Sequence, residues 1–111
     1  MQVSIERREG RVAVVTPEGR LDLASASEFK QTLNDAVAAG DRNLVVDLSK
    51  VPFVDSSGLG ALISGMKATR LAGGDLRIAQ VGEQARLILE LTTLDKVMKL
   101  YPTVEEALVD L

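Results

Sequence analysis

The sequence predicts an α/β fold: a single domain over residues 1–111, with a mixed β-sheet of about five strands and about four helices. Three observations predict it. Strand-like and helix-like stretches follow one another in the order β-β-α-β-α-β-α-β-α. The first two strands are separated only by a tight turn, so they must run antiparallel. The later strands are joined through helices, so those crossovers are parallel and right-handed.

Each element has a local reason. Val3 and Ile5 alternate with Ser4 and Glu6, the pattern of a half-buried strand. Glu9-Gly10 turns the chain, and Arg11 to Thr16 forms the second strand, with Pro17-Glu18-Gly19 as the next turn. Ser25 and Glu28 have capping-box spacing at the start of a helix. Phe29, Leu33 and Val37 then place one apolar stripe on it, and Gly40 ends it. Asn43–Leu48 is a short apolar run with β-branched residues, which suits a strand covered on both faces. After VPFVDSSGLG, Leu59, Leu62, Ile63 and Met66 fall at helical spacing until Gly73-Gly74. Asp75–Val81 alternates as a strand, and Gly82 to Leu91 is a helix with Leu87, Ile88 and Leu91 on one face. Val97, Leu100 and Tyr101 make a last short strand. Thr103 and Glu106 repeat the capping-box spacing in a terminal helix.

Composition excludes several classes of function. The chain is 46% hydrophobic and only 3% aromatic, so its core must be aliphatic. Net charge is −3, which disfavours nucleic acid as a partner. Arg7, Arg8 and Arg11 are interrupted by Glu9 and Gly10 and read as a solvated strand end. There is no cysteine and no histidine. Disulfides, thiolate chemistry, Ser-His-Asp triads and His-rich metal sites are therefore excluded. No metal or cofactor is expected. No apolar run is long enough to span a bilayer, and MQVSIERREG lacks the regions of a signal peptide. The default expectation is a cytoplasmic protein without a membrane partner.

DSSGLG, residues 55–60, is the leading candidate site. Asp55 or a serine there suits a helix N-cap. The same geometry offers free N–H groups and a partial positive charge, which favour an anion such as a serine-borne phosphate. Gly58 and Gly60 would let backbones approach closely. Asp22, in Gly19-Arg20-Leu21-Asp22, is either a turn residue or a second acidic group beside the serines. If the two preceding strands are parallel neighbours, both loops share one sheet edge. Asp47 reads as a local hydrogen-bond acceptor, and nothing around it supports acid–base chemistry. The Leu59–Met66 stripe reads as core, with Ser64, Lys67 and Arg70 on the exposed side. Neither GxxxxGKS/T nor GxGxxG occurs, so nucleotide binding has no motif.

The stretch VVDLSKVPFVDSSGLGALISGMKATRLAGGDLRIAQV closely resembles the centre of the STAS domain of bacterial anti-sigma factor antagonists. PEGRLD is similar to that family's entry into its first helix, and LELTTLDKVMKLYPTVEEAL to its closing elements. The resemblance covers nearly the whole chain. It implies a phosphoprotein in a partner-switching pathway that regulates transcription, with no catalysis of its own. Ser56 would be the phosphorylated residue, and Ser57 stands where the family has Ser or Thr. Partner contacts would fall on Asp22, Asp55, Ser56, Ser57, Gly58 and Leu59. The unphosphorylated form would bind an anti-sigma factor that is also a serine kinase of the GHKL ATPase type, releasing the sigma factor. Phosphorylation would break that complex, and a PP2C-type phosphatase would restore the serine. The alternative within the family is a STAS subunit or scaffold that binds a transporter or stress-complex partner.

Overall fold

The chain opens with the hairpin that the alternation predicts. A computed structural model describes residues 1–111. Strand β1 (Gln2–Arg8) pairs antiparallel with β2 (Val12–Glu18), from Arg8 opposite Val12 to Gln2 opposite Glu18. Gly10 (φ 82°) and Arg11 (φ 61°) make the turn, so β2 begins at Val12 and not at Arg11. It also continues through Pro17 and Glu18, where a turn was expected. The next strand pairs with β2 only as far as Val15. Beyond that point β2 has a neighbour on one side alone, and an edge tolerates a proline.

Helix α1 (Ala26–Ala38) buries Ala26, Phe29, Leu33 and Ala36. Full burial of Phe29 and Leu33 contributes about 1.5–3 kcal/mol each. Val37 packs only at the rim of the core. Gly40 (φ 114°) turns the chain out of the helix. Strand β3 (Asn43–Asp47) is buried along all but its last residue, as expected for a strand covered on both faces. Helix α2 (Ser56–Leu71) carries the predicted core stripe, with Leu59, Leu62 and Met66 buried.

The C-terminal part departs further from expectation. Strand β4 (Leu76–Ala79) is shorter than predicted, because Gln80 (φ 56°) leads the chain away from the sheet. Helix α3 (Glu83–Leu91) buries Ala85 and Leu89, with Ile88 at the core's edge. Leu87 and Leu91 are 54% and 75% exposed, so of the predicted apolar face only Ile88 packs on the core. A 3₁₀ turn at Leu94–Lys96 follows, entered through Thr93 at φ 59°. Strand β5 is only Leu100–Tyr101, with Val97 outside it. Helix α4 (Val104–Ala107) starts as predicted: the Thr103 hydroxyl accepts from the Glu106 N–H at 3.1 Å.

The five strands stand in the order β1-β2-β3-β4-β5, with every pair after the hairpin parallel. Side chains alternate across the sheet. Ala13, Val15, Leu44, Val46, Leu76 and Ile78 share a core with α1, α2 and α3. Val14, Val45 and Ala79 face the other way and pack on Ala107 of α4. Three helices therefore cover one face, and the short α4 covers part of the other.

Candidate functional site

Because β2 and β3 are parallel neighbours, the loops that follow them leave the sheet at one edge. Backbone bonds join these loops directly. The Leu21 N–H donates to the Phe53 carbonyl at 2.9 Å, and the Asp55 N–H donates to the Leu21 carbonyl at 3.1 Å. Leu21 and Val54 thus form a parallel bridge beyond the ends of the strands. Asp22 and Asp55 each follow a member of that pair, which puts both carboxylates at the same edge.

Asp55 is the N-cap of α2. Its backbone is extended (φ −104°, ψ −172°), and its Oδ1 accepts from the Gly58 N–H at 3.0 Å. Its Oδ2 accepts from the Leu23 N–H at 3.1 Å. One carboxylate therefore caps the helix and clamps the neighbouring loop. With the cap supplied by Asp55, the serines are not needed for it. Ser56 is the first helical residue and is exposed, with its hydroxyl free of intramolecular hydrogen bonds. The Asp55 carboxylate already occupies the Gly58 N–H at this helix end, and the N–H groups of Ser56 and Ser57 are left without an intramolecular acceptor.

The two glycines behave differently. A Cβ on Gly58 would lie 2.3 Å from the Leu21 carbonyl oxygen and 2.9 Å from Leu21 Cγ. Close approach at this position is what allows the two loops to bridge. A Cβ on Gly60 would meet nothing within 4 Å, so no such role falls to Gly60. Leu59 is 6% exposed and belongs to the core, and Gly58 is buried beside it. Neither side of that pair presents atoms to the surface. Ser57 is half-buried. It lines a shallow groove of about 350 Å³ between α1 and α2 with Leu23, Lys30, Gly60 and Ala61.

Asp22 serves its own loop. Its Oδ1 accepts from the Ala24 N–H at 3.1 Å, and its Oδ2 lies 3.5 Å from Arg20 Nε. The Arg20 guanidinium sits 4.2 Å from the centroid of the Phe53 ring, a further link between the loops. Ser25 does not cap α1 as its spacing predicts. Its hydroxyl is buried, donates to the Arg20 carbonyl at 2.7 Å and accepts from the Asp22 N–H at 3.1 Å. Glu28, left without a capping partner, lies 3.8 Å from the N-terminal amine. Asp47 accepts from the Ser49 N–H at 2.9 Å, the local role expected of it, and also from the distant Gln80 Nε2 at 3.1 Å.

Two residues of this edge escape sequence reasoning. Leu23 is 79% exposed between Asp22 and the start of α1. An isolated apolar residue inside a polar turn is the signal that would have marked it. Gln84, from α3, bonds the backbone of Val54 and carries no local signal at all.

Comparisons with known proteins bear on the family and the fold. The model of the STAS domain family matches residues 3–107. The anti-sigma-F factor antagonist RsfB of Mycobacterium tuberculosis is 32% identical over 99 residues, covering 87% of this chain and 79% of that protein. The anti-sigma F factor antagonist of Paenibacillus polymyxa is 27% identical over 112 residues, covering 100% of this chain and 95% of that one. The crystal structure of an anti-sigma factor antagonist from Mycobacterium paratuberculosis superimposes with a TM-score of 0.86 at 34% identity, covering 96% of this chain and 90% of that one.

Proposed function

This chain belongs to the STAS domain family, and we propose that it is an anti-sigma factor antagonist whose binding is switched by a phosphate on Ser56. One observation carries the proposal. Asp55 does the capping, so an unengaged serine hydroxyl stands exposed on the first residue of α2. Residues 1–111 work as one domain in this scheme. No helix is long and apolar enough to cross a membrane, and the protein meets its partners in the cytoplasm.

The unphosphorylated form binds an anti-sigma factor that is also a serine kinase of the GHKL ATPase type. The contact surface is the edge formed by exposed Ser56 and half-buried Asp22, Asp55 and Ser57. Gly58 and Leu59 act from below, by fixing the backbone that carries the serines. The chain is the substrate of the chemistry. The Ser56 oxygen attacks the γ-phosphorus of ATP, the bond to the β-phosphate oxygen breaks, ADP leaves, and the hydroxyl proton passes to a base on the kinase. A PP2C-type phosphatase later hydrolyses the ester.

Physical chemistry supports a switch without unfolding. A phosphoserine carries about −1.5 to −2 charges at neutral pH. Placed on the first turn of a helix it meets free N–H groups, which favour it. The same charge stands beside Asp22 and Asp55 and faces the partner's acidic catalytic groups. Like charges a few ångströms apart repel by a few kcal/mol at intermediate dielectric. A loss of about 2.7 kcal/mol is a hundredfold in affinity.

The test is calorimetric titration against the GHKL kinase identified by mass spectrometry in pull-downs with the wild-type chain. Ser56→Ala is expected to bind it like the wild type, and Ser56→Asp about a hundredfold more weakly. Equal affinity of all three forms would refute the switch.

A further inference from the structure

The segment Phe53-Val54-Asp55 is gripped from both sides. On one side Leu21 pairs with it through its backbone, as a neighbouring strand would. On the other side there is no strand. Instead, the Gln84 side chain fills that place. Its Oε1 accepts from the Val54 N–H at 2.8 Å, and its Nε2 donates to the Val54 carbonyl at 2.9 Å. A primary amide has one acceptor and one donor face, so it can satisfy both backbone groups of one residue. Val54 is 1% exposed, so neither group has water as a ready substitute. Gln84 lies in the first turn of α3, 30 residues further along the chain.

We propose that Gln84 is a positioning residue for Ser56. It fixes Val54, and through Val54 the next residue, Asp55. The Asp55 carboxylate in turn holds the Gly58 and Leu23 N–H groups. Ser56 follows directly on that cap. The start of α3 therefore sets where the acceptor oxygen stands when a kinase approaches. The proposal rests on Ser56 being the modified residue, and it adds a second helix to the elements that present it. Gln84 is not itself part of the contact surface, and a misplaced acceptor oxygen costs turnover more than recognition.

Two variants test this. Gln84→Glu keeps the acceptor for the Val54 N–H and sets an oxygen against the Val54 carbonyl. Gln84→Leu removes both bonds at similar volume. Amide hydrogen exchange is read at Gly58 and Leu23, the two N–H groups held by Asp55. Both variants should exchange there at least about tenfold faster, while Val45 in the centre of β3 keeps its wild-type rate. With the kinase recovered on the wild-type chain, kcat for phosphorylation of the variants should fall about tenfold and KM should stay within about twofold. Unchanged protection at Gly58 and Leu23 would overturn the proposal. So would a uniform rise in exchange with a lowered Tm and an unchanged kcat, since that is a structural role only. If no kinase phosphorylates the wild-type chain, the switch itself fails, and the exchange data still decide whether Gln84 holds the loop.

Discussion

Two loops leave the same edge of the sheet, and each carries an aspartate followed by a serine at the start of a helix. In the first, Asp22 and Ser25 bond mainly within their own turn, and the Ser25 hydroxyl is buried with two backbone partners. In the second, Asp55 holds two N–H groups, Gly58 in its own helix and Leu23 in the other loop, and Ser56 is left exposed. The residue types are the same, but the division of tasks is opposite. A serine is available for modification where a neighbouring carboxylate has taken over the capping. It is unavailable where its own hydroxyl closes the turn.

Substitutions can break this contrast. The largest effect should come from Gly58→Ala. Its new methyl group would press on the Leu21 carbonyl, which is backbone and cannot swing aside. We expect a loss of about 3 kcal/mol in urea unfolding, at the upper end for an overpacked site. Asp55→Ala and Ser25→Ala form a matched pair. The first removes the acceptor of two N–H groups and should cost about 2 kcal/mol. The second should cost about 1 kcal/mol. Only the Asp55 change should also slow phosphate incorporation, followed by radiolabel from ATP, because only that loop presents the acceptor. The smallest effect belongs to Gly60→Ala. Its site is open and helical, so the substitution should stabilise the fold by about 0.5–1 kcal/mol. A loss of stability there would show that the two glycines are equivalent after all.

The parts of this edge that are local in sequence are legible without a structure. DSSGLG announces a helix start, and Thr103 announces another, because a cap needs only residues three positions apart. The buried β3 is legible from its unbroken apolar run. What fails depends on partners outside the pattern being read. Ser25 and Glu28 have the right spacing, but the Arg20 carbonyl and the Asp22 N–H compete for the hydroxyl and win it. Leu87 and Leu91 look like a core face, yet the residues that α3 buries are Ala85 and Leu89, whose phase is set by packing on distant elements. Leu59 lies inside the DSSGLG motif, yet its helical spacing already reads as core, and it is buried. Gln84 is invisible in advance, since nothing in its own neighbourhood foretells an amide completing a strand pair with Val54.

The chemistry rests on one oxygen atom. Its direct test is to incubate the wild-type chain and Ser56→Ala with ATP and the GHKL kinase recovered on the wild-type protein, and then to map the modification by mass spectrometry. The account predicts one phosphate on the wild-type chain, located on Ser56, and none on the variant. A phosphate on Ser25 or Ser57, or full incorporation into Ser56→Ala, would contradict it.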